Sequence, residues 1–408
     1  MASTEAQKQA AIDDGLAYLA STQGAQGQWT GSGYNAADTA AALLSFIEQK
    51  SKPLGWNGAD YSAAVTNGLN YLMTQATQVN VGLRPDGFNA DQSGTGHGLY
   101  WGAQGETTYI SGLALTTLAK AVSSGYVNAT DVIVSTNPAV NGKTYGLVIQ
   151  ESVDMYLAGQ STAANGVYRG GWRYYPSQGL ADNSTTQWGA IGMLAAGQAG
   201  AVVPGYTKDE LKYWINYIQN PVSGGSGYDS PGYLVNESKT GGLLVEMAFT
   251  GYNGSGGFGD TGGASTMTGA LNFLNANWPD GPSATWDGNF GHPYSMWSVY
   301  KGLESTIGLT GTAISNFMFT GAGQVKDNPG DVWNWWEDYS QYLTNSQLAN
   351  GSWGGYSYWG PTLATSWYIN ILNATAIGPG PSVPEPATIA LIGLAMLAIG
   401  GIRRSARR

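Results

Sequence analysis

Apolar positions fall at helical spacing in six places along the chain, and each place ends in an aromatic residue followed by Leu or Ile. The pairs are Tyr18-Leu19, Tyr71-Leu72, Tyr156-Leu157, Tyr217-Ile218, Phe273-Leu274 and Tyr342-Leu343. Three and seven positions before the second member of the pair, apolar residues often recur. Examples are Ile12/Leu16/Leu19, Val65/Leu69/Leu72, Leu211/Ile215/Ile218 and Met267/Leu271/Leu274. Such spacing buries one face of a helix. The third and sixth copies depart from it at Asp154 and Ser340. A Gly-rich loop with an aromatic follows most copies: Gly27-Gln-Trp29, Asp86-Gly-Phe88, Gly170-Gly-Trp172, Gly256-Gly-Phe258 and Gly351-Ser-Trp353. Small polar residues then precede a second apolar run. Asp38-Thr39 stands before Ala40–Leu44, Glu106-Thr-Thr108 before Gly112–Leu115, and Asn183-Ser-Thr-Thr186 before Ile191–Leu194, while Thr362 and Thr365 begin the last run. Side-chain oxygens of this kind cap the free N–H groups of a helix start. The pattern predicts an all-α body of six helical hairpins, whose small-residue second helices suit a crowded inner position. The stretches 82–105 and 251–263 are then long loops at one mouth.

Composition narrows the compartment and the partners. The 408 residues include 61 glycines and no cysteine, with 12% aromatic and only 11% charged side chains. Disulfides, thiol catalysis and Cys-ligated zinc are thereby excluded. The net charge is −10, and the residues from Val383 onward contribute four arginines and one acid. Without them the balance is 13 basic against 26 acidic residues. An acidic body repels phosphate backbones, so nucleic acid is not an expected partner.

The end of the chain carries its own signal. A loose linker at 374–382 leads to Val383-Pro384-Glu385-Pro386-Ala387-Thr388, an apolar run through Ile402, and a cluster of Arg403, Arg404, Arg407 and Arg408. Counted from Ala387 to Ile402, the apolar stretch is shorter than the roughly 20 residues of a comfortable bilayer span. The arginines would stay cytoplasmic. The three parts, in this order over 383–408, resemble the PEP-CTERM sorting signal. That resemblance implies a short C-terminal transmembrane helix, recognition by an exosortase, an inner-membrane-anchored precursor, and a final place at the cell surface or in exopolysaccharide. Met1-Ala-Ser-Thr-Glu-Ala-Gln7 lacks the basic start and apolar core of a secretory leader. The expectation is a sequence trimmed to its mature start.

A second resemblance covers the body. The first copy reads Gly15-x-x-Tyr18-Leu19-x-x-x-Gln23-x-x-x-Gly27-x-Trp29, and the last keeps Tyr342, Leu343, Gln347, Gly351 and Trp353 with Tyr339 for the leading glycine. This resembles the QW repeat of the squalene-cyclase and prenyltransferase superfamily. It implies an α/α toroid over 1–373, six outer and six inner helices around a central cavity. The superfamily's activities do not come with it. The cyclase acid motif is Asp-x-Asp-Asp-Thr-Ala, whereas this chain has Asn35-Ala-Ala37-Asp38-Thr39-Ala40, with Ala37 in place of the proton donor. The zinc of the prenyltransferases needs Asp, Cys and His, and here there are only His97 and His292.

Glycan chemistry is the remaining enzymatic candidate. Hydrolysis needs two carboxylates across a cleft, for which Glu106, Asp182 and Glu237 stand near inner-helix starts. A lyase needs a base and an Arg that neutralises a uronate. Arg169, Arg173, Tyr174, Tyr175, His292 and Tyr294 are candidates. Asp86, Asn89, Asp91 and the loop near Asp260 have oxygens of the kind calcium takes, but not at EF-hand spacing, and no metal or cofactor is expected. Trp333, Trp335, Trp336, Trp353, Trp359 and Trp367 are expected to fill the core and the closing seam. Trp101, Trp172, Tyr174, Tyr175, Trp286 and Tyr294 are the rings expected in loops, where they suit stacking on sugars. The best-supported role is a non-catalytic structural or binding toroid presenting a cleft to exopolysaccharide or another surface protein. A polysaccharide lyase or hydrolase and an isoprenoid or lipid binder are the alternatives.

Overall fold

The computed structural model describes residues 3–103, 105–175, 178–251, 266–283, 286–319 and 333–376. The sorting segment, with Val383, Pro384, Glu385, Pro386, Ala387 and Ile402, and the loop with Phe258 and Asp260 lie outside them. Among the described residues no helix is long and apolar enough to cross a membrane.

Among the described residues twelve α-helices alternate between two rings. The outer ring holds α1 (Glu5–Thr22), α3 (Ser62–Thr74), α5 (Tyr145–Gly159), α7 (Gly205–Ile218), α9 (Met267–Ala276) and α11 (Trp335–Ser346). The inner ring holds α2 (Asn35–Ser51), α4 (Thr107–Ser123), α6 (Asn183–Gln198), α8 (Glu237–Thr250), α10 (Pro293–Thr306) and α12 (Pro361–Leu372). Each inner helix packs on the next, and α12 returns to α2. The six hairpins therefore close an α/α toroid.

The two rings differ as their sequences require. Outer helices bury one stripe, as in α1, where Ile12, Leu16 and Leu19 face inward. Inner helices are buried nearly all round, and their small residues let backbones meet. A Cβ on Gly112 would overlap the Trp188 carbonyl, and one on Gly241 would overlap Ser298.

The repeat has a physical basis at the loop that joins each outer helix to its inner partner. Gln23, Gln160, Gln219 and Gln347 each donate from Nε2 to two carbonyls, at 2.7–3.0 Å. One acceptor is the glycine of the same loop, and the other lies on or beside the next outer helix: Ala64, Thr207, Thr266 and, for the last copy, Ala11 of α1. Those glycines, Gly27, Gly170, Gly224 and Gly351, have φ of +79° to +89°. A Cβ on any of them would overlap a backbone carbonyl of the neighbouring helix, so only glycine fits. The ring of Trp29, Trp172 or Trp353 is buried, and its Nε1 donates to the helix carbonyl of Leu19, Tyr156 or Leu343.

The second copy corrects two expectations. Phe88 is not its loop ring; it stacks on Tyr206 at 4.4 Å. Trp101 does that work, donating to Leu72 O at 2.8 Å. Trp101 and Trp172 are 0% and 1% exposed, so neither presents a face to a sugar. The insertion at 82–105 is not loop throughout: β1 (Thr77–Asn80) pairs antiparallel with β2 (His97–Tyr100), and β2 packs on α5.

Candidate functional site

All six inner helices begin at the same end of the ring, and their first turns surround a cavity of about 610 Å³. That lies within the roughly 300–1,000 Å³ of small-molecule sites. Its depth is apolar, with Ile110, Leu113, Trp188, Leu363 and Trp367. Its upper wall carries Tyr34, Glu106, Tyr109, Tyr174, Tyr228, Lys239, His292 and Tyr294. Among the described residues, the five most exposed aromatic side chains are Tyr34, Tyr175, Tyr233, Trp286 and Tyr358, at 37–68%. Four of them line this cavity, and the Tyr175 hydroxyl approaches Gly105 beside Tyr34 at the rim. The exposed rings form a collar at one mouth.

Each predicted acid is placed differently. Glu106 lines the cavity as the N-cap of α4, in left-handed conformation at φ 54° and with no capping bond from its side chain. Burial pushes its carboxyl up. Asp182 is fully buried. One oxygen accepts from Thr185 N at 2.8 Å to cap α6, and the other stands 3.2 Å from Arg173 Nε. Burial outweighs these partners and raises it to about 6. Glu237 accepts from Gly288 N at 2.9 Å, and burial, with Asp287 close by, raises it to about 7. Neither Asp182 nor Glu237 is part of the cavity lining, so these three acids do not pair across it.

The candidate bases are likewise engaged. Tyr294 accepts from Gln187 Nε2 and Trp188 Nε1 and donates to Ser184 O. Burial pushes its hydroxyl far above the ordinary tyrosine value. Tyr174 and Tyr228 share a hydroxyl bond of 2.6 Å, and burial raises both. His292 caps α10 by accepting from Ser295 N at Nδ1, 3.3 Å, which places its proton on Nε2. Burial lowers it to about 4, so the ring is neutral at pH 7.

Other predicted residues lie away from the cavity. Arg169 makes a two-pronged pair with Glu210 and covers Tyr213. His97 is on β2. Asp86 bonds Arg84 and Tyr206, and Asp91 accepts from Gly96 N and Ser93 Oγ. No cluster of three His, Cys, Asp or Glu suited to a metal occurs among the described residues. Of the tryptophans expected in the core, Trp359 and Trp367 also line the cavity. Sequence reasoning missed Tyr34, Tyr109, Tyr228, Tyr233, Lys239 and Tyr358. All but Tyr228, which lies in the loop before α8, stand within a few residues of an inner-helix start, a position legible once the second helices are found.

Comparison with known proteins agrees with both halves of the chain. The apo structure of MstE, a type II terpene cyclase from Scytonema, is similar over 92% of this chain and 99% of its own, with a TM-score of 0.50 and 13% identity. The body therefore has the α/α toroid fold of the terpene cyclases. No curated protein matches. Residues 382–408 match the PEP-CTERM protein-sorting motif, so the chain carries an export-sorting signal that implies recognition by an exosortase.

Proposed function

We propose that this is an exported carbohydrate-binding toroid of the cell surface or exopolysaccharide matrix, which works by holding a glycan rather than cleaving it. The aromatic collar carries this reading. Large exposed rings are costly to leave in water, and here they gather around one cavity. A sugar has apolar C–H faces for ring stacking and hydroxyls for a polar rim. Tyr34, Tyr233, Trp286 and Tyr358 offer the faces; the phenols of Tyr174 and Tyr228 offer hydroxyls.

Cleavage fits the same wall less well. Glu106 is the single carboxylate in the lining among the described residues, and hydrolysis needs two. The phenols of Tyr174, Tyr228 and Tyr294 are held protonated, which makes them poor bases for elimination. Ala37 stands in the lining where the resembling cyclase motif has its proton donor, so the site presents a methyl group in place of that acid. The apolar depth of the cavity also suits a lipid tail, which keeps isoprenoid binding as the second reading.

The purified body is to be passed over a panel of bacterial exopolysaccharides, while reducing ends and unsaturated uronates are followed. Retention without products is expected. Trp286→Ala and Tyr358→Ala should each weaken it about tenfold, the loss typical of an anchoring aromatic. Product release would overturn the non-catalytic reading. Retention untouched by both variants would move the site elsewhere, and binding of polyprenols alone would favour the lipid reading.

A further inference from the structure

The upper wall of the cavity holds a donor without a partner. Lys239 stands in the first turn of α8, and its side chain lines the cavity while only 5% exposed. Most buried ammonium groups are paired. Here Lys8 meets the Glu337 carboxylate; Lys301 is buried without a hydrogen-bond partner as well, but its ammonium lies over the Trp188 ring and is not part of the cavity lining. No hydrogen-bond or ion-pair partner faces Lys239 Nζ among the described residues. Asp287, Asp182 and Glu237 lie near enough to favour its charged form, but none pairs with it, and burial brings it down to about 8. Glu237 turns instead to Gly288 N, and Asp182 to Thr185 N and Arg173.

Its surroundings are donors too. His292 is close enough for the lysine's charge to act on its ring, and its buried Nε2 makes no hydrogen bond of good geometry among the described residues, although the Trp286 backbone lies close enough to favour its protonated form. The N-termini of six helices point their N–H groups toward this end of the ring, and α2, α4 and α12 have no side-chain cap. Each helix start carries partial positive charge. Among the described residues the one acid in the lining is Glu106. On its cavity side Lys239 therefore adds a cation and N–H groups to the lining, while Asp287, Asp182 and Glu237 lie outside the lining, the last two turned to other partners.

We propose that the glycan held in this cavity is acidic, and that Lys239 binds an anionic substituent of the sugar, a uronate-type carboxylate, with His292 Nε2–H beside it. The inference rests on the carbohydrate-binding reading and specifies its ligand. The acidity of the body as a whole does not oppose it. Exposed charges are screened beyond about 8 Å at physiological salt, whereas a desolvated ammonium acts at contact.

The test compares oligosaccharides of alginate, hyaluronan and polygalacturonate with their carboxyl-reduced neutral forms, by titration calorimetry on the full chain. At least one acidic form should bind about tenfold or more tighter than its neutral form, as a charge-assisted hydrogen bond provides. Lys239→Met should erase most of that difference by weakening the acidic form far more than the neutral one, whereas Trp286→Ala should weaken both forms alike. Added salt should narrow the gap in the unaltered chain, a check that needs no variant. Equal binding of acidic and neutral forms, or a preference that survives Lys239→Met in a variant of unchanged thermal stability, would overturn the inference but leave the carbohydrate reading standing. No binding of either form would overturn both.

Discussion

Four positions in the repeat are constrained, for four separate reasons. The glutamine supplies two N–H donors from one group and so joins a loop to the next hairpin. The glycine lies at positive φ against a carbonyl. The tryptophan fills the joint and ties its own helix carbonyl. A hydroxyl in the inner helix, Thr39, Ser111, Thr186 or Thr365, accepts from the tryptophan N–H. Asp38, beside one of these threonines, is a different case. It is buried, accepts from Ser32 N and Oγ, and is raised to about 6 because burial outweighs those bonds. Its folded-state value stands above its unfolded value, so the folded chain holds more protons between about pH 4 and 6. Stability from this group is therefore present at low pH and falls as the pH rises through that window. Asp38→Asn should remove the slope: relative to the unaltered chain it should gain about 1–3 kcal/mol between pH 4 and pH 7. Urea unfolding at the two pH values measures this, and parallel curves would refute it.

At the scale of elements, the hairpins were legible because period and capping agree. Copies one and six could be read in full, since Gln23, Gly27 and Trp29 recur as Gln347, Gly351 and Trp353. The second copy could not. Its tryptophan lies beyond a β-hairpin, at a spacing that no helical period contains, and Asn137 replaces the glutamine by donating to Met73 O and Ala76 O. In the fifth, the carboxylate of Asp338 accepts from Trp278 Nε1, Met318 N and Phe319 N, a solution without the motif. Buried residues such as Trp101 and Trp172 looked like loop rings because burial arises from neighbours far along the chain. The cavity wall was partly legible: Glu106 was found from a helix start, and Tyr174, Trp286, His292 and Tyr294 as loop rings or candidate bases, while Lys239 carried no signal of its own. The first and last outer helices meet through Lys8, whose Nζ lies 3.0 Å from both Glu337 oxygens. Both side chains are buried. Lys8→Met removes the cation that faces the buried Glu337 carboxylate and should cost about 3–5 kcal/mol. Pairing it with Glu337→Gln should recover part of that loss in denaturant unfolding, and a double variant as unstable as the single would refute the pairing.

For the whole molecule, the described body ends in bonds that hold it to the ring: Tyr300 Oη donates to Thr375 O, and Thr375 Oγ1 bonds Asn370. A chain cut after Ala376 should melt at the same temperature as the full chain, measured by circular dichroism. A lower midpoint would mean that the sorting segment contributes to the fold. The sequence carried this division, because the sorting signal has its own composition and order and needs no tertiary partner to be recognised.

The closing contacts have a consequence for delivery. Gln347 reaches Ala11, and Lys8 reaches Glu337, across more than three hundred residues of chain. Until the last hairpin has arrived, the molecule is an open arc whose first helix lacks its partner. Contacts so distant along the chain form late. In a chain that carries an export-sorting signal, a closure that waits for the last hairpin leaves the ring unlocked until the whole polypeptide is present.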